Sequence, residues 1–175
     1  LWTIFLRPVA FEYRSKIANP TWRKTWDWVL FVASATPPLL FGVAFGNLLL
    51  GIPFHFDDTM RLFSDEPSVI MGFLHLLSPF ALLCGLVAFT MVAAHGGVYL
   101  SLRTEGEMQK RAKKAAIIFS ILAIVLFALG GIWVPHLDGY TASNLNPAAA
   151  SDPLIKTVVL SKGAWLNNYQ IYPYC

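Results

Sequence analysis

Few groups in this sequence could carry charge or protons through an apolar setting. Glu12 and Lys16 stand four residues apart in FLRPVAFEYRSK, residues 5–16, directly behind an apolar run. On a helical extension that spacing puts both on one face. Two chemistries fit. One is a surface ion pair, of small energetic value in water. The other is a proton relay, since a partly desolvated carboxylate and amine at a membrane face can exchange protons. The residue types leave both open.

The four histidines are the candidates for haem or metal. His75 and His95 lie in one charge-free stretch, twenty residues apart, which on a helix is ~30 Å. They therefore stand near opposite membrane faces and cannot ligate one haem together. His55 and His136 belong to outer segments. His95, in MVAAHGGVYLSLRTEG, is the polar intramembrane candidate, because an ionisable residue inside a span is a functional-site candidate by default. The alternative is a neutral histidine bonded to a neighbouring carbonyl or reaching toward the inner face. The two cysteines, Cys84 and Cys175, form neither a disulfide framework nor a metal spacing. No metal site and no cofactor site is expected on this chain.

The elements that must position these groups follow from composition. Apolar residues make up 56% of the chain and charged residues 13%, about half the ~25% of soluble domains. Exposed in water, such a chain would aggregate. The expected fold class is an all-α integral membrane protein, a multispanning bundle of transmembrane helices, with membrane lipid as its surroundings and no nucleic-acid partner. Residues 28–54, 67–102 and 115–137 hold no Asp, Glu, Lys or Arg, and each exceeds the ~20 residues that cross a bilayer. Ten of the 13 cationic residues fall in segments 7–27 and 103–114, which the positive-inside rule places in the cytoplasm. The expected organisation is the end of a transmembrane helix (1–11), a cytoplasmic loop (12–25), a span (26–52), an external loop (53–68), a span (69–102), a cytoplasmic loop (103–113), a span (114–136) and an external segment (137–175). LWTIFL reads as the last turns of a helix, so the sequence is expected to be a fragment truncated at both ends. Pro37 and Pro38 should kink the first full span, and Gly42-x-x-x-Gly46 suits either close helix contact or ordinary glycine tolerance.

Several long blocks resemble a known family. RPVAFEYRSK, then PPLLFGVAFGNLLLGIPF, then HGGVYLSLRTEGE, with GAWLNNY near the end, follow the order and spacing of subunit II of the cytochrome bd-type ubiquinol oxidases. The resemblance implies a bacterial inner-membrane complex that oxidises quinol, reduces dioxygen to water and takes its protons from the cytoplasm. It implies haem b and haem d in the partner subunit I, none in this chain, and no catalytic residue here. It admits a structural quinone and a small accessory subunit. It maps a proposed proton path onto Glu12 and Lys16, with Glu where some members have Asp. Some members have Gln at the position of His95, which argues against an essential role. The family's HWDGNxVW-like proton-channel block is not in this sequence. A membrane transporter or channel fragment is the alternative class, suited by kinked spans and an intramembrane histidine but lacking paired interrupted segments. A haem-binding cytochrome b subunit is a third, and it lacks facing histidines.

Overall fold

The computed structural model describes residues 2–51, 54–57, 59, 61–64, 68–142 and 158–166. These form helices α1 (Trp2–Arg14), α2 (Pro20–Leu50), α3 (Val69–Leu76), α4 (Pro79–Arg103) and α5 (Gly106–Trp133). Strands β1 (Phe54–Phe56) and β2 (Leu62–Ser64) make one antiparallel hairpin, and β3 (Asp138–Ala142) and β4 (Val158–Lys162) make another. The chain divides into two units, Leu1–Phe127 and Ala128–Cys175.

Among the described residues, α2, α4 and the stretch from Gly106 to His136 that begins with α5 are long and apolar enough to cross a membrane. The starts of α2 and α4 obey capping chemistry rather than hydropathy. Asn19 caps α2, its side-chain oxygen accepting from the Thr21 amide at 2.9 Å, and Pro20 opens the helix where no amide partner is needed. The helix thus begins six residues before the span expected at 26, because Trp, Arg and Lys are sound helix formers whatever their polarity. Similarly, the stretch 69–102 is not one helix. Ser78 accepts from the Ala81 amide at 3.3 Å and Pro79 starts α4, so α3 ends at Leu76.

The α2–α4 seam is built from small residues. A Cβ on Gly42 would lie 2.5 Å from the Cys84 carbonyl oxygen, and one on Gly46 would lie 2.7 Å from the Ala81 Cα. From the other side, a Cβ on Gly85 would lie 2.9 Å from the Leu39 carbonyl. Of the two readings of Gly42-x-x-x-Gly46, the structure takes the close contact, in which backbones approach because nothing stands between them. The register runs antiparallel, so the first turns of α2 and the last turns of α4 lie at one end of this unit. Both cation-rich segments are therefore at that end.

At the opposite end, Asn47, 5% exposed, ties α2 to α3. Its amide donates to the Val43 carbonyl at 3.0 Å and to the Leu76 carbonyl at 2.6 Å. The second bond satisfies the last turn of α3 where the helix stops. α5 follows α4 after only Thr104 and Glu105, and Gly106 takes the positive φ of 69° that reverses the chain. Gln109 donates to the Ser101 carbonyl at 3.0 Å, and Gly97 sits against Ala116. Beyond that contact, α5 buries no residue.

In the second unit, β3 and β4 pair from Asp138 with Lys162 to Ala142 with Val158. Gly139 lies against Ala164 and Trp165, where a Cβ would come within 2.8 Å. The Thr141 hydroxyl donates to the Val159 carbonyl at 3.2 Å. Cys175 and Lys156, and the last three residues of GAWLNNY, lie outside the described residues.

Candidate functional site

One cluster of charged groups in the first unit lies at the α1–α2 corner. α1 ends at Arg14, and the Lys16 amide closes the turn onto the Tyr13 carbonyl at 3.2 Å. The corner is held by aromatic and ionic contacts across the connection. Trp22 donates its indole N–H to the Tyr13 carbonyl at 2.9 Å, capping the end of α1 from α2. Tyr13 stacks on Trp26 at 5.8 Å between ring centres, and Trp22 meets Trp26 edge-on at 5.7 Å. Arg14 reaches Asp27 with two bonds, Nε to Oδ1 at 2.5 Å and Nη2 to Oδ2 at 3.3 Å, the bidentate geometry that a guanidinium offers a carboxylate. The carboxylate raises the Arg14 pKa above its ordinary value, first through the hydrogen bond and then through its charge.

Glu12 and Lys16 are both exposed at this corner, and they do not pair with each other. The four-residue spacing assumes a helix that continues to 16, and this one stops two residues earlier. The Lys16 ammonium instead lies 4.4 Å from the centre of the Tyr13 ring, a cation–π contact. Arg14 and Asp27 form the ion pair of the corner. Their spacing, thirteen residues across a turn, has no periodic signature. Its one trace in the sequence is that Asp27 is the last charge before the charge-free remainder of α2.

Deeper along α1, Arg7 donates from Nε to the Ser34 hydroxyl of α2 at 3.1 Å. Seven residues separate Arg7 from Arg14, and seven separate Ser34 from Asp27, or ~10 Å along each helix. Arg7 and Ser34 border a cleft of about 440 Å³ whose other walls are Ile4, Pro37, Pro38, Phe41, Ala88 and Val92. The two prolines lack amide hydrogens, so the carbonyls one turn before them, at Ala33 and Ser34, lose their helical donors.

His75 is on α3 and His95 on α4, with the helix break between them. Both are exposed. In the second unit, the His136 ring nitrogen Nδ1 lies 3.3 Å from the Ile132 carbonyl. His55 belongs to β1.

Comparison with known proteins settles the relationship. The model of the family "Cytochrome bd terminal oxidase subunit II" matches residues 1–170. The chain is 45% identical over 173 residues to the cytochrome bd-I ubiquinol oxidase subunit 2 of Escherichia coli, covering 98% of this chain and 44% of that protein. It is 43% identical over 171 residues to the probable cytochrome oxidase subunit 2 of Haemophilus influenzae, again covering 44% of the relative. Against the cytochrome bd ubiquinol oxidase subunit 2 of Bacillus subtilis it is 30% identical over 136 residues, 77% of this chain and 38% of the relative. The chain thus spans less than half the length of the curated relatives it matches. The three apolar helices, the blocks around RPVAFEYRSK and the match over nearly every residue lead to one conclusion: this chain belongs to the cytochrome bd terminal oxidase subunit II family.

Proposed function

We propose that the chain serves as the haem-free subunit of a bacterial inner-membrane quinol:oxygen oxidoreductase, beside a subunit I that carries haem b and haem d, and that its α1–α2 corner takes part in proton uptake. The observation that carries the proton reading is the placement of Glu12 and Lys16. Both are exposed at the end of the unit where the cationic segments cluster, the end that the positive-inside rule assigns to the cytoplasm. Glu12 follows Phe11 on the last turn of α1, and Lys16 sits over Tyr13 just past the helix end. An exposed carboxylate and amine on a rigid corner can load protons from water and hand them to a neighbour within hydrogen-bond reach. The Arg14–Asp27 pair and the Trp22–Tyr13 bond fix that corner. Their role is positioning. Quinol is the proposed substrate of the complex. A structural quinone and a small accessory subunit remain compatible with this arrangement.

The test uses a family-length subunit II carrying these residues, assembled with its subunit I in proteoliposomes. Glu12→Ala and Lys16→Ala are each expected to slow quinol-driven oxygen uptake and proton uptake together while the haem spectrum stays unchanged. Normal turnover in both variants would reduce the corner to a cationic anchor and send the proton path elsewhere.

A further inference from the structure

Arg7 is the one cation among the described residues of α1 that lies a turn or more inside the helix from the Arg14–Asp27 corner. It stands ~10 Å further in than that pair. It is exposed, and among the described residues its polar contact is the uncharged Ser34 hydroxyl, with no carboxylate in ion-pair range. Its cleft is otherwise apolar, walled by three helices and open on one side. A guanidinium at this depth cannot be left against lipid tails, because charged groups inside a membrane pair with one another or with backbone carbonyls. Ser34 supplies one acceptor for a group that has five donors. The carbonyls of Ala33 and Ser34, freed by Pro37 and Pro38, add negative dipoles but no charge.

We infer that the α1–α2–α4 cleft seats a further transmembrane helix of a family-length subunit II, and that this helix presents an Asp or Glu to Arg7. Charge complementarity identifies the chemistry: a planar, permanently protonated fork in an apolar cleft selects a carboxylate, which it binds with two parallel bonds. Length favours the same polypeptide as the source, since more than half of each relative lies outside the matched region. The cleft is bounded by Ile4 on α1, Phe41 on α2 and Val92 on α4, apolar side chains that the flank of a membrane helix can cover. This inference needs the family relationship but not the proton reading of Glu12 and Lys16.

The experiment uses the family-length subunit co-expressed with its partner. A photo-crosslinking phenylalanine analogue replaces Phe41, and the peptide it captures in membranes is sequenced by mass spectrometry. The expected product is a peptide of the same subunit, outside the 175 residues, that contains Asp or Glu. Arg7→Gln should lower its yield at least tenfold, and Arg7→Lys should retain most of it. Should Arg7→Gln fail to accumulate, neutralising the captured carboxylate in the same chain should restore accumulation, because removing both charges leaves none buried alone. Capture of lipid only, of a peptide without a carboxylate or of the partner subunit would overturn the inference. So would a yield indifferent to Arg7→Gln, or a double variant that stays absent. Oxygen uptake in Glu12 and Lys16 variants is a separate readout, so the two readings fail separately.

Discussion

Replacing Gly42 with alanine adds one methyl group at the tightest point of the α2–α4 seam. That carbon would lie 2.5 Å from the Cys84 carbonyl oxygen, 2.6 Å from the Gly85 Cα and 2.8 Å from the Ala88 Cβ. Carbon atoms prefer separations of about 3.5–4.0 Å. Two of the three obstructing groups are backbone and cannot rotate away, so the helices must part by ~1 Å. A gap of that size forfeits about a quarter to a half of the attraction of each contact along the seam. Overpacking of this kind costs about 1–3 kcal/mol. The upper end corresponds to roughly a hundredfold change in the folded population. Gly96 is the matched control, because a Cβ there meets nothing within 4 Å. The assay is thermal unfolding of the purified complex, followed together with the alkylation rate of Cys84, whose thiol-bearing residue lines the seam. Gly42→Ala should melt several degrees lower and expose Cys84 to faster alkylation, while Gly96→Ala should match the parent in both. Equal melting and equal alkylation in the two variants would refute the close contact.

Three further outcomes follow from other contacts. Asn47→Leu removes the donor to the Leu76 carbonyl at the α3 terminus, and leaving a buried acceptor unpaired should cost about 1–3 kcal/mol, read as a lower melting temperature. Trp22→Phe keeps the ring but deletes the N–H that bonds the Tyr13 carbonyl; the expected loss is about 0.5–1.5 kcal/mol, checked by the same melt. His95→Gln should leave stability within about 0.5 kcal/mol and oxygen uptake unchanged, since His95 is exposed and has no hydrogen-bond partner among the described residues; a loss of turnover with normal assembly would give it a role.

Hydropathy located α2, α4 and α5 because a charge-free run long enough to cross lipid leaves the backbone little choice but helix. The same measure could not see the end of α3. Leu77 and Ser78 are neutral, and what stops the helix is a serine that caps and a proline that cannot donate, signals of backbone bonding rather than polarity. TWRKTWD reads as loop on charge, yet Asn19 and Pro20 begin the helix ahead of it. The hairpins were not legible, because their strands are three to five residues long and their pairing depends on contacts across connections that carry no periodic pattern. For the site, Glu12 and Lys16 are visible as residue types, but the helix that would set them on one face ends at Arg14. Arg14–Asp27 and Arg7–Ser34 were invisible for a common reason. Each joins two helices that run opposite ways, and such partners are set by the corner between them, not by spacing on either one.

α5 is fastened to its neighbour in its first half, by Gln109, by the Gly97–Ala116 contact and by an edge-to-face contact of Phe119 with Phe89. From Ala116 to Phe127 it runs eleven residues without burying one, a reach of ~17 Å. Mechanically this is a post hinged at its foot. A turn of ten degrees at the foot would carry Phe127 about 3 Å sideways, as follows from that ~17 Å arm. Its inclination in the bilayer is therefore decided by whatever leans on its apolar sides, as tilt is in membrane helices generally. A change in those neighbours would be passed along the post to the residues at its far end without any rearrangement of the Gly42–Gly85 seam.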